Sequence, residues 1–172
     1  RHKHQDALLF IDMDDFKTLN DSMGHDLGDQ LLQQIAERVL SSVREGDTVA
    51  RLGGDEFVVL LEDLDESPHE AAMQAEAVAR KIHHALRQIY QLASHSYHSS
   101  ASIGITLFGG LQREHIEEPL KRAELAMYKA KEDGRDNLRF YESDMSNAIN
   151  SRATLEADLH KAVTRSEFLL YY

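Results

Sequence analysis

The 172-residue chain contains no cysteine. That excludes a disulfide framework, a thiolate metal site and a cysteine nucleophile, and it suits a reducing compartment. It also lacks an excess of positive charge: 30 acidic residues against 19 basic ones leave a net charge of −11. A general nucleic-acid surface needs a basic stripe, so that class of partner is excluded. A nucleotide remains possible where local cations and a metal cover its phosphates. No apolar run approaches the length of a membrane span and no signal-peptide pattern is seen, so a cytoplasmic location is expected for these residues, whatever membrane segments a full-length protein carries elsewhere. Repeats and low-complexity tracts are absent. The ten histidines are scattered; His83, His84, His95 and His98 show no metal-motif spacing and read as surface residues. What is there, 42% hydrophobic and 28% charged residues, is the composition of a globular protein, one domain with room for an appendage.

The informative stretch is Arg51-Leu52-Gly53-Gly54-Asp55-Glu56-Phe57. Strand-like runs flank it, Thr48-Val49-Ala50 before and Phe57 to Leu61 after. Two glycines between such runs predict a tight hairpin, because glycine enters positive φ without steric cost. Two adjacent carboxylates at the mouth of an apolar strand repel, and a bound cation is what such a pair suits. Taken alone, these residues still read as an ordinary acidic turn.

A second acidic cluster changes the balance. Ala7-Leu8-Leu9-Phe10-Ile11 is the continuous apolar run of a doubly buried strand, and it ends in Asp12-Met13-Asp14-Asp15. Sheet ends are where ligands bind. An EF-hand fits poorly, because its glycine and closing glutamate are missing at their loop positions.

Phe16 to His25 is polar and mixed, and Gly24 to Asp29 reads as a loop leading into a helix. Leu31, Leu32, Ile35, Ala36, Val39, Leu40 and Val43 then share one helical face over about residues 30–44, stopped by Gly46. Ser67-Pro68-His69-Glu70 predicts a capping box opening the next helix, with an apolar stripe from Ala71 to Ile89. A strand is expected over 98–108, a helix over 117–131 stopped by Gly134, and a short strand over 138–141. The order β-α-β-β-α-β-α-β predicts an α+β fold: a mixed central sheet with helices packed on its faces.

If strand one lies beside the hairpin, Asp12 meets Asp55 and Glu56 at one rim of the sheet. Converging hard oxygens there suit Mg²⁺ or Mn²⁺, which assist phosphoryl and nucleotidyl transfer. Lys131 and Arg135, four apart at a helix end, are either phosphate clamps or plain C-terminal cations.

Together these segments carry a resemblance. Asp12-Met13-Asp14-Asp15-Phe16-Lys17, Asn20-Asp21, Gly24-His25-Asp26-Leu27-Gly28-Asp29, Gly53-Gly54-Asp55-Glu56-Phe57, Ser102-Ile103-Gly104-Ile105, Ala126 to Lys131 and Gly134-Arg135-Asp136-Asn137 follow the order of the GGDEF family of diguanylate cyclases, which the chain resembles over about residues 7–141. The resemblance implies a ferredoxin-like, nucleotidyl-cyclase (palm-like) βαββαβ core with extra elements. It also implies condensation of two GTP into cyclic di-GMP with release of two pyrophosphates, across a homodimer. By position, Asp12, the Met13 carbonyl and Asp55, supported by Glu56, would hold Mg²⁺ (or Mn²⁺). Asp55, Glu56 and Lys17 would be the catalytic groups; Phe16, Lys131 and Arg135 would line the triphosphate, and Asn20 and Asp29 would read guanine. Arg44 and Asp47 fall at the family's product-inhibition site, where Lys81 replaces an arginine that many members use. Lysine cannot reproduce the bidentate fork, so weaker product binding is expected.

The implied organisation is a GGDEF domain over 1–142 lacking its N-terminal segment, a linker over 143–154, and the beginning of a truncated EAL domain over 155–172. That tail resembles the EAL phosphodiesterase without its catalytic residues, which points to a tandem protein with an attached EAL domain and an upstream sensory domain. Three functions compete: an active cyclase, a GTP-binding regulatory module for the EAL phosphodiesterase, and a cyclic di-GMP receptor acting through Arg44 and Asp47.

Overall fold

The structure, a computed structural model, describes residues 4–109 and 115–141. Strand β1 (Gln5–Met13) is the centre of a five-stranded sheet ordered β2-β3-β1-β6-β7, where β2 is Thr48–Gly53, β3 Glu56–Leu61, β6 Ala101–Gly109 and β7 Leu138–Phe140. Every pairing is antiparallel except β6 with β7, so the sheet is mixed, as expected. A separate two-stranded hairpin joins β4 (Tyr90–Leu92) to β5 (His95–Tyr97).

The apolar run predicted as a doubly buried strand is one. Ala7, Leu9, Ile11 and Met13 enter the larger core, which helices α2 (His25–Ser42) and α3 (Pro68–Leu86) cover. Leu8 and Phe10 point the other way, into a smaller core with Val58, Ala123 and Met127 under α4 (Glu117–Glu132). Alternation along one strand therefore serves both layers. Gly104 makes the second layer close: a Cβ there would stand 1.9 Å from the Ala123 carbonyl oxygen and 2.3 Å from the Met127 nitrogen.

Several expectations are corrected. Residues 16–23 form a helix, α1 (Phe16–Met23), whose apolar side is little more than the buried pair Phe16 and Leu19. Two anchors three apart are too few to show as periodicity in a polar segment. Gly24, at φ 88°, separates α1 from α2, which starts at His25 rather than near residue 30. Ser67 makes no side-chain cap; Asp65 accepts from the Ser67 N–H instead, so the capping box is not formed. Leu40 and Ile89, counted in the apolar stripes, are about half exposed (57% and 49%). The linker and EAL expectations, 143–172, lie outside the described residues.

Candidate active site

The register of β1 against β3 assembles the site. Leu8 pairs with Leu60, Phe10 with Val58, and Asp12 with Glu56, so each pair faces one side of the sheet. This is the α4 side, and the row passes from hydrocarbon to carboxylate where α4 ends. Lys131, in the last turn of α4, places its Nζ 2.5 Å from Asp12 Oδ1. That oxygen is buried and makes no well-angled hydrogen bond, so the ammonium is its sole neutralising partner among the described residues. Asp55 occupies the turn between β2 and β3, beside Gly54 at φ 50°; Arg51 closes the turn by donating from Nε and Nη2 to the Gly54 carbonyl at 2.9 and 2.6 Å. The Met13 N–H donates to the Asp55 carbonyl at 3.4 Å, tying the turn to the end of β1.

Two carboxylates so placed resist ionisation together. Burial holds Asp12 above the ordinary carboxylate range against the opposing pull of Lys131. Burial also raises Asp55, and the charge on Asp12 raises it further. A buried oxygen short of partners and a pair of mutually repelling carboxylates are the donor set a hard divalent cation fits. Met13 can contribute only its backbone, because its side chain is in the core. Among the described residues no three acidic or histidine side chains are preassembled as a metal cluster, so water and substrate oxygens would complete the coordination.

Asp14, grouped with Asp12 in the sequence reading, belongs elsewhere. Its carboxylate accepts from Ser100 Oγ (2.6 Å), Ser102 Oγ (2.7 Å) and the Asp136 N–H (2.9 Å). Three donors satisfy it, and it fastens the end of β1 to β6 and to the loop after α4. Residues two apart share a face only while the strand lasts, and β1 ends at Met13.

Asp15, left-handed at φ 58°, opens α1. Phe16 is buried, while Lys17 stands exposed in the first turn, where the backbone N–H groups of a helix start offer an anion site. Across the crossing of α1 and α2, Asn20 lies on Gly28: a Cβ on Gly28 would fall 1.9 Å from Asn20 Oδ1 and 3.4 Å from Phe16 Cζ. Asn20 Oδ1 is buried without a partner among the described residues, and Asp29, next to Gly28, is exposed. A buried amide oxygen left open beside an exposed carboxylate can accept and select a polar ring edge. Gly28 escaped the sequence reading as a site residue; its motif was visible, its contact was not. Arg135 lies beyond α4 with its Nε 4.0 Å from Asp15 Oδ1.

These strands, helices and acids match a known pattern. The model of the diguanylate cyclase GGDEF domain matches residues 1–137. The chain belongs to this family. The bifunctional diguanylate cyclase/cyclic di-GMP phosphodiesterase MucR of Pseudomonas aeruginosa is 44% identical over 167 residues, 96% of this chain and 23% of MucR. The diguanylate cyclase TpbB of the same species is 41% identical over 145 residues, 82% of this chain and 31% of TpbB. The crystal structure of the GGDEF domain of YfiN (TpbB) from P. aeruginosa superimposes with a TM-score of 0.75 at 38% identity, covering 81% of this chain and 84% of that one. The chain thus spans less than a third of these curated relatives.

The GGDEF domain also brings Arg44, Asp47 and Lys81 to one place. Asp47, its carboxylate 3% exposed, takes the Arg44 Nε at 3.1 Å and the Arg44 N–H at 3.1 Å. Arg44 Nη2 also donates to the Glu62 carbonyl. All three line a cleft of about 640 Å³ with His4, Gln74 and Asp65, opposite in the sheet to the acidic rim. Two histidines are engaged: His4, which is exposed, and His83, which the sequence placed at the surface. His4 Nδ1 lies 2.9 Å from the Leu64 carbonyl, and His83, its side chain 16% exposed, lies 2.9 Å from Asp136. No helix among the described residues is long and apolar enough to cross a membrane.

Proposed function

We propose that this GGDEF domain is a diguanylate cyclase that condenses two GTP into cyclic di-GMP. The observation that carries the reading is the pairing of Asp12 with Glu56 across β1 and β3, with Asp55 at the adjoining turn and Lys131 on Asp12. Asp12, the Met13 carbonyl and Asp55, backed by Glu56, would hold Mg²⁺ or Mn²⁺; bound there, the ion supplies charge neutralisation at the α-phosphate.

The chain's own groups do the rest. The α1 amino end, Phe16 and Lys17 take the triphosphate with Lys131 and Arg135. Asn20 and Asp29 select guanine over adenine. The 3′-hydroxyl of one GTP attacks the α-phosphorus of the other, its proton passing to Asp55 or to a water on it. The bond to pyrophosphate breaks, and repetition closes the ring. Each protomer of a homodimer contributes one GTP. Lys131 exchanges Asp12 for phosphate when the substrate arrives.

Full-length protein supplied with GTP and Mg²⁺ is expected to yield cyclic di-GMP by mass spectrometry, with specific activity rising as protein concentration drives pairing. Loss of product in wild type but persistent GTP binding would replace this reading with the regulatory one, in which GTP tunes an attached EAL phosphodiesterase without being consumed. The similarity to bifunctional MucR supports the tandem organisation: a GGDEF domain over 1–142, a linker over 143–154 and the start of an EAL domain from 155, with a sensory domain upstream. The cleft at Arg44, Asp47 and Lys81 favours cyclic di-GMP as a second ligand, bound away from catalysis.

A further inference from the structure

The loop between α4 and β7 holds three successive residues in the left-handed region: Gly134 at φ 112°, Arg135 at 61° and Asp136 at 47°. Glycine adopts this freely and aspartate more readily than most residues; an arginine stays there only where its surroundings hold it. Arg135 itself is held by little: its N–H reaches the Ala130 carbonyl at 3.2 Å and its exposed side chain stands 4.0 Å from Asp15. The fastening is at Asp136. Its N–H donates to the buried Asp14, and its carboxylate is gripped from α3 and the residue capping it, with His83 Nε2 2.9 Å from Oδ1 and Arg87 Nε 3.3 Å from Oδ2. His83 Nε2 and Asp136 Oδ1 are both buried and, among the described residues, have no better-angled partner than each other. Neither His83 nor Arg87 reaches the acidic rim, so nothing in the nucleotide chemistry explains them.

We propose that His83 and Arg87 are positioning residues for Arg135. By fixing the Asp136 carboxylate they hold the loop in its left-handed turn and present the Arg135 guanidinium beside the amino end of α1, where the triphosphate binds. The inference rests on the reading of Arg135 as a triphosphate clamp. An arginine on an unfastened loop must be ordered at each binding event, and affinity falls by that cost. With the turn fixed beforehand, the cost is met in folding.

The test is binding of a non-hydrolysable GTP analogue with Mg²⁺ to the full-length protein, with KM and kcat measured beside it and thermal melting as the fold control. Arg135→Ala is expected to weaken binding by about tenfold or more, the worth of a charge-assisted contact. His83→Phe, which keeps ring volume and loses the ring nitrogens, is expected to weaken it about three- to tenfold through KM, with kcat little changed. His83→Gln restores most of that loss by returning a donor. In the Arg135→Ala background, His83→Phe adds nothing further, since the group it positions is gone. Where His83→Phe melts too low to assay, Arg87→Gln, at the exposed side of the same carboxylate, carries the same expectation. Arg135→Ala weakening the analogue while His83→Phe and Arg87→Gln bind like wild type would overturn the positioning role and leave the clamp standing. An Arg135→Ala protein that binds like wild type would overturn both.

Discussion

At the scale of single residues, the acidic rim sets function against stability. Asp12 and Asp55 are raised above the ordinary value of 3.8, chiefly by burial. A carboxyl whose folded pKa exceeds its unfolded one favours the folded state while protonated; that contribution is complete below 3.8 and is lost as pH rises through the raised values. The metal-free protein is therefore expected to lose stability as pH climbs through that window, and Mg²⁺ at neutral pH to restore it, both read by thermal unfolding. Asp55→Asn removes the repulsion: a Tm gain of about 1–4 °C without metal is expected, together with loss of cyclic di-GMP formation. Gly28→Ala tests the proposed guanine contact of Asn20 from below. The added methyl would fall 1.9 Å from Asn20 Oδ1, so Asn20 must swing away, and GTP binding measured by titration should weaken about three- to tenfold, one hydrogen bond's worth.

At the scale of elements, hydrogen bonds to the carboxyl end of α3 hold the helices of the larger core together. Arg38 of α2 donates to the carbonyls of Ala85, Gln88 and Ile89 and lies 3.6 Å over the Tyr90 ring, tying α2 to the carboxyl end of α3. Tyr90, fully buried, donates its hydroxyl to the Leu86 carbonyl, and burial pushes its pKa up to about 12. Arg38→Ala removes three hydrogen bonds, two of them exposed, and the cation over the ring face, and a loss of about 1–3 kcal/mol is expected by chemical denaturation. Because α3 carries His83, this variant should also loosen GTP binding slightly. Helices α2, α3 and α4 were legible in their apolar spacing. Helix α1 and the β4–β5 hairpin were not: α1 buries only Phe16 and Leu19, and the hairpin strands are three residues each, too short for any period to rise above its surroundings.

At the scale of the whole molecule, the two proposed ligand sites lie off one sheet, the acidic rim at one end and the Arg44–Asp47 cleft off the other. Lys81 on α3 lines that cleft beside them. Replacing it with arginine offers a planar fork to a phosphate or guanine edge, and Lys81→Arg is expected to tighten cyclic di-GMP about three- to tenfold by calorimetry. Arg44→Ala should abolish the binding heat while leaving synthesis uninhibited by product. Unchanged affinity in both variants would place the product elsewhere.

The sequence alone settled the central strand, the glycine turn with its acids, and the family, because apolar period and motif order are local and survive in one dimension. It also named Asp12, Asp55, Asn20 and Lys131 before any contact was visible. Tertiary structure alone decided which acids share a face. Asp12 and Asp14 look equivalent along the chain. Yet the register of β1 with β3 sends Asp12 to Glu56 and Lys131, while Asp14, just past the strand, is taken up by Ser100, Ser102 and Asp136. His83 was similarly unreadable, because its partner comes from the far end of the chain. A carboxylate's role depends on which donors reach it in space, and those donors arrive from segments that only folding brings together.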